Sequence, residues 1–360
     1  MAFKTTYSQY DNKVGLISTE ATLNLTTIPS NENKITASDG ASGDDFGHSV
    51  AIGNGRIVVG AIRDNSIQGS AYIFDLAGTQ LAKITASDGA AGDFFGCSVA
   101  IGNGRIVVGA NGDNGSLSGV QGSAYIFNLA GTQLAKITAS DGVANDQFGL
   151  SVAIGNGRIV VGAPFTRPAG PSNNASGDVY IFDLDGTQLT KIIKTGAIIG
   201  YTSEEFGHSV AVGNGRIVVG AYGDNTGTGA IYIFDLNGTQ LAAKITAPES
   251  DAAALINFGF SVAVGNGRIV VGAYGTDDPA LGNNSLSGSA YIYDLDGTLL
   301  SKITASDAAE NDFFGWSVAI GNGRIVAGAI EGFGSSSGPF AGSAYIYETP
   351  NIKDYFNILE

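Results

Sequence analysis

The chain has 360 residues, with 33 acidic against 18 basic side chains (formal net charge −15), 54 Gly, two His, and single Cys, Met and Trp residues. This composition excludes a disulfide scaffold and a cysteine-based zinc site, and it offers no basic face to nucleic-acid phosphates. No apolar run approaches the ~18 residues of a membrane span, so neither nucleic acid nor membrane insertion is expected, while 44% hydrophobic residues suffice for a large core.

In chain order, residues 1–31 have alternating apolar positions and no apolar stretch of the signal-peptide kind. They read as an arm for anchoring or docking. From residue 32 a unit of about 50 residues recurs. Its most regular piece, GNGRIV, occurs six times, with Arg56, Arg105, Arg158, Arg216, Arg268 and Arg324 spaced by 49, 53, 58, 52 and 56 residues. Each unit offers four short strands, A to D. SVAIG and RIVVGA flank a Gly-Asn-Gly hairpin signal, SAYIFDL is rich in β-branched and aromatic residues, and QLAKITAS follows a Gly-Thr turn. The array ends near residue 349, and 350–360 form a short apolar tail.

Four strands per unit, six times over, predict an all-β, six-bladed β-propeller of four-stranded blades. The array starts on a D-like segment at 34–38 and ends on a C-like segment at 343–347. The expected closure is therefore an N-terminal strand completing the last blade, which would remove two exposed sheet edges.

The segments FGHSVAIGNGRIVVGA and FGWSVAIGNGRIVAGA resemble FG-GAP repeats, the propeller repeats of integrin α-subunits and of many bacterial and phage surface proteins. All six units carry the Phe-Gly pair, at Phe46, Phe95, Phe148, Phe206, Phe258 and Phe314. A looser resemblance links the ITASDG version to repeats of predicted marine bacteriophage structural proteins. These resemblances imply a non-enzymatic virion structural or adhesion protein, such as a phage tail or surface component. It would assemble in the host cytoplasm and bind other virion proteins through its termini. A bacterial cell-surface adhesin is the alternative, and a propeller hydrolase a more distant one. No triad, reactive-Cys motif or isolated acid pair supports catalysis.

Integrin-type repeats often carry a calcium loop between strands A and B, but here that connection is only Gly-Asn-Gly, too poor in oxygens for Ca²⁺. No cofactor is expected, with calcium as a weak possibility at a second pattern. Asp39 and Asp44, Asp88 and Asp93, Asp141 and Asp146, and Asp307 and Asp312 lie five residues apart in the D-to-A loops. The favoured reading is that they satisfy loop N–H groups. The repeat Arg residues are expected to hold neighbouring loops or blades. The repeat Lys residues (Lys34, Lys83, Lys136, Lys191, Lys244, Lys302) are expected to solvate an outer strand.

The position after each Phe-Gly does not repeat: it is His48, Cys97, Leu150, His208, Phe260 or Trp316. Strand parity places it with the following Val and Ile, which favours packing between blades. The alternative is a ring of six side chains around the axis, forming a ligand mouth. The two His fall in blades one and four, too far apart to share a metal. The long, variable B–C connections gather on one face, expected to recognise a host surface protein or a glycan. The candidate anchors are Arg63, Phe165, Arg167, Tyr222, Tyr274, Phe333 and Phe340, weighted toward blades three to six.

Overall fold

The computed structural model describes residues 7–9, 17–19 and, within 33–348, all but 114–118, 168–175, 195–202, 249–254, 282–284 and 331–341. The chain divides into two compact units, Met1–Ile35 and Thr36–Glu360. In the first, strands Tyr7–Gln9 and Ile17–Thr19 pair antiparallel.

The second unit is a six-bladed β-propeller. Its A strands are Phe46–Gly53, Ser98–Gly102, Ser151–Gly155, Ser209–Gly213, Ser261–Gly265 and Ser317–Gly321. The B strands are Arg56–Ala61, Arg105–Ala110, Arg158–Ala163, Arg216–Ala221, Arg268–Ala273 and Arg324–Ala329. The C strands are Ser70–Asp75, Ser123–Asn128, Asp178–Phe182, Ala230–Phe234, Ser289–Tyr293 and Ser343–Glu348. D strands are Gln80–Ile84, Gln133–Ile137, Gln188–Ile193 and Leu299–Ile303.

Every blade is an antiparallel meander in one register, illustrated by Val99↔Val108 and Val108↔Tyr125 in blade two. The A–B turn explains why Asn-Gly recurs. Asn54 and Gly55 both have positive φ, 49° and 71°, as the two-residue hairpin turn that matches strand twist requires. The C–D turn is closed by a side chain: the Asp75 carboxylate accepts N–H bonds from Ala77 (2.9 Å) and Thr79 (2.8 Å).

Two blades have three strands rather than the expected four. In blade four the D segment reads QLAAKI where blades one and two read QLAKI. The additional Ala leaves only isolated bridges, Ile231↔Ile245 and Phe234↔Gln240, the counterparts of Ala71↔Ile84 and Phe74↔Gln80 in blade one, so the extra residue is taken up as a bulge that interrupts the ladder between them. In blade six the partner expected from 34–38 straddles the boundary between the two units, and 33–37 carry no strand.

Blades one to six join through five apolar cores. Each core is centred on the Phe of a Phe-Gly pair. Phe95 is fully buried and packs edge-on against Tyr125 at 5.5 Å and Phe127 at 5.9 Å. Burying one such side chain is worth ~1.5–3 kcal/mol. A serine fastens each junction: the Ser49, Ser98, Ser151, Ser209 and Ser261 hydroxyls donate to the carbonyls of Gly96, Gly149, Gly207, Gly259 and Gly315 of the next blade. The approach is close enough to demand glycine, since a Cβ on Gly109 would lie 1.9 Å from the Gly149 carbonyl oxygen.

The sixth junction, blade six to blade one, is not made among the described residues. Ser317 has no carbonyl partner there. A Cβ on Gly321 would meet nothing within 4 Å, whereas one on Gly53 would lie 3.0 Å from the Ile101 carbonyl oxygen. Val50 and Ile52 are 68% and 71% exposed, and Ile346 of blade six is 60% exposed. Among the described residues this seam between blades six and one is open.

Candidate functional site

The repeat Lys residues of blades one to three do not solvate an outer strand, whereas Lys34 is exposed. Each of the three in blades one to three bridges two carboxylates. Lys83 contacts Asp39 and Asp64, both at 2.6 Å, and Lys136 contacts Asp88 and Asp113, both at 2.7 Å. Lys191 contacts Asp141 (2.7 Å) and Asp178 (2.8 Å). The C-strand Tyr completes the clamp: the Tyr125 hydroxyl donates to Asp113 (2.7 Å), with Asp88 2.9 Å away, and the ammonium lies 5.3 Å from the ring centroid. Burial pushes the Asp88 carboxyl up, but the Lys136 and Tyr125 hydrogen bonds outweigh it and hold the group below its usual range. In blade four Lys244 keeps its contact with the B–C carboxylate, Asp224, but shares it. A buried Lys194 takes the central place, 2.8 Å from Glu204 and 2.9 Å from Asp224, with Lys244 at 3.2 Å.

The second Asp of each pair turns inward on its own loop. Asp44, Asp93, Asp146 and Asp312 accept the backbone N–H of Ala41, Ala90, Val143 and Ala309 at 2.6, 2.6, 2.8 and 2.7 Å. Asp307 accepts the Tyr345 hydroxyl at 2.7 Å. The Asp pairs therefore already have donors. Among the described residues no three His, Cys, Asp or Glu side chains converge as metal ligands. Repeat Arg residues reach the C–D turn of the next blade, as in Arg158 Nε to the Leu236 carbonyl (3.2 Å) and Arg216 to Leu295 and Asp296 (both 3.2 Å).

The non-repeating slot behaves differently in the two halves of the ring. His48 is exposed, and Cys97 and Leu150 are half-buried. The Cys97 thiol faces the Gly149 carbonyl at 3.4 Å, and burial pushes its pKa up to about 11. In blades four to six the slot residues touch in series, His208 to Phe260 at 4.8 Å and Phe260 to Trp316 at 4.6 Å between ring centroids. Tyr222 and Tyr274, the first residues of their B–C connections, pack into the same row. Tyr222 lies 4.5 Å from His208, and Tyr274 lies 4.7 Å from Phe260 and 4.8 Å from Trp316. Phe313 extends it, 5.8 Å from Tyr274.

Six half-buried aromatic side chains thus form one arc across three blades on the variable-loop face. The packing and mouth readings of the slot meet here: the rings pack against one another, and their outer edges remain open. Sequence reasoning had placed Tyr222 and Tyr274 in one class and the slot in another. It missed Phe313 and Glu205. Glu205 bonds the Tyr222 hydroxyl, while burial raises its own pKa.

The other loop candidates do not join the arc. Arg63 is exposed and paired with Asp45 at 3.1 Å, Phe165 is half-buried, and Arg167 is exposed. Phe333 and Phe340 lie outside the described residues.

The geometry of six Phe-Gly-centred blades has a counterpart among known families. The FG-GAP repeat model matches residues 29–74, 79–127, 132–182, 197–234, 240–293 and 298–347. The chain belongs to the FG-GAP repeat family. Its propellers are often used in protein–protein interaction or adhesion and are generally non-enzymatic. No curated protein matches the chain.

Proposed function

We propose that this FG-GAP propeller is a non-enzymatic recognition protein that engages a partner surface through the aromatic arc of blades four to six. The observation behind this reading is the arc itself. Tyr222, Phe260, Tyr274 and Trp316 are four large rings, half open on the face where the connections vary, and large rings of this kind dominate binding hot spots. Aromatic faces beside the Glu205 carboxylate suit a hydroxyl-rich or cationic partner, as a host surface glycan or protein provides. The ITASDG repeats favour a virion surface as the setting, with a bacterial cell surface as the alternative.

The test is the double variant Phe260→Ala with Tyr274→Ala, assayed on intact bacterial cells and on a glycan panel, with circular dichroism to confirm the fold. Loss of at least ~30-fold in affinity is expected, the hot-spot range. Unchanged attachment would make the arc a packing feature only. Immunogold labelling of phage particles against cell envelopes decides the setting.

A further inference from the structure

The clamp of blade four differs from the other three in kind. The D strands of blades one, two, four and five are followed by the buried Ala86, Ala139, Ala247 and Ala305, and Lys194 stands at that position after blade three. Gly196 falls where the clamps of blades one to three have Asp39, Asp88 and Asp141. One carboxylate is thus replaced and an ammonium added. The group is also dry: the side chains of Lys194, Glu204 and Asp224 are 3%, 4% and 0% exposed, whereas those of Asp39, Asp88 and Asp141 are half exposed. A buried ammonium–carboxylate pair stabilises a fold poorly, because desolvation of both charges offsets their attraction.

The geometry around Asp224 suits a reaction. Lys194 Nζ lies 2.9 Å from Asp224 Oδ2 and 2.8 Å from Glu204 Oε2. The Asp224 carboxyl carbon is one bond beyond Oδ2, close to the ~3–3.5 Å of a near-attack geometry. The Tyr232 hydroxyl donates to Oδ2 at 2.6 Å, and the Lys244 ammonium lies 3.2 Å from Oδ1. An amine, a carboxyl carbon with donors on both oxygens, and a second carboxylate that can carry protons are the parts needed for acyl transfer to nitrogen.

We propose that Lys194 and Asp224 join in an intramolecular isopeptide bond, with Glu204 as the proton carrier. Glu204 takes a proton from the Lys194 ammonium, and the freed Nζ lone pair attacks Asp224 Cγ. The C=O π pair moves onto Oδ2, where the Tyr232 hydroxyl holds the developing oxyanion. Collapse breaks the Cγ–Oδ1 bond, and Oδ1 leaves as water with two protons that began on Nζ and pass through Glu204. One N–H stays on the amide, so ammonium plus carboxylate become amide plus water, with no redox change and no co-reactant. The product is neutral, which removes two buried charges; at the hydrated clamps of blades one to three, water favours the ion pair. Burial raises the Asp224 carboxyl, but hydrogen bonds from Lys194 and Tyr232 outweigh it and hold the group below its ordinary range. Reaction therefore starts from a minor neutral pair, and the bond matures slowly. It ties the end of blade three's D strand to the B–C connection of blade four.

The experiment is intact-mass spectrometry of the full chain, incubated at neutral pH until its mass is constant, followed by tryptic mapping. The mass should settle one water below that of the sequence. Trypsin should release peptide 192–216, uncut at Lys194, joined to peptide 217–244. Lys194→Ala, which restores the residue of the other repeats, should keep the full sequence mass. Glu204→Gln should slow bond formation at least ~100-fold, the usual worth of a positioned proton carrier. Dehydration of an Asp-Gly pair to a succinimide also loses water but joins no peptides. A matured chain at its full sequence mass, water loss without the joined peptides, or an unaltered rate in Glu204→Gln would each overturn the proposal. The mass and the peptide map of the unmodified chain need no variant, so a misfolded substitution would not blunt the test.

Discussion

The His208 imidazole lies between Tyr222 and Phe260, and burial lowers its pKa to about 4. An unfolded imidazole titrates near ~6.5. Between these values the unfolded chain binds the additional proton, so stability contributed at neutral pH is lost as pH falls from about 6.5 toward 4. With only two histidines in the chain, proton NMR can follow both. His208 is expected to reach half-titration near pH 4, and a midpoint near 6.5 would place its ring in open water. The slot was legible in the sequence because it alone breaks the repeat. Glu205 and Phe313 were not, since each sits in a run of acidic or Phe-Gly residues whose period marks nothing special. The Lys clamp was hidden for another reason. Its first Asp lies 33 to 50 residues before the Tyr and Lys it joins, and strand parity gives a side chain's face but not its partner.

At the scale of strands, repeat phase and turn chemistry made the blades legible, because period-two alternation, Asn-Gly turns and Phe-Gly pairs all agree. The three-stranded blades were visible in part. The Ala inserted in blade four interrupts the D strand as a bulge, after which Ile245 regains the register that Ile84 has in blade one. Blade six is the more informative case. Its C strand holds Tyr345 hydrogen-bonded to Asp307, two of the four members of the clamp seen elsewhere, and the clamp Lys corresponds in the repeat to Lys34. In blade one the C–D register pairs Ala71 with Ile84 and Tyr72 with Lys83. Transferred to blade six, this register sets Ala344 opposite Ile35 and Tyr345 opposite Lys34. The expected closure can be tested in a Cys97→Ser background carrying Ile35→Cys and Ala344→Cys. Mild oxidation should give an intramolecular disulfide, with Ala71→Cys and Ile84→Cys as the positive control. Free thiols in the first protein and a disulfide in the control would show that residues 34–38 are not the sixth blade's fourth strand.

For the molecule as a whole, the open seam changes how stability is distributed. Among the described residues five junctions are made and the sixth is not, which gives a linear array with two ends, and in such arrays each unit is held only by its neighbours. Blades one and six have one neighbour each, blades two to five have one on either side, and blades three and four lie farthest from the ends. Amide hydrogen exchange should therefore be slowest in the inner strands of blades three and four and fastest toward blades one and six, a gradient running along the chain. If closure is engaged in solution, the gradient should flatten, because a complete circle has no terminal blade from which to fray. The seam thus makes exchange protection a direct gauge of whether the propeller unravels from its ends or opens as one cooperative body.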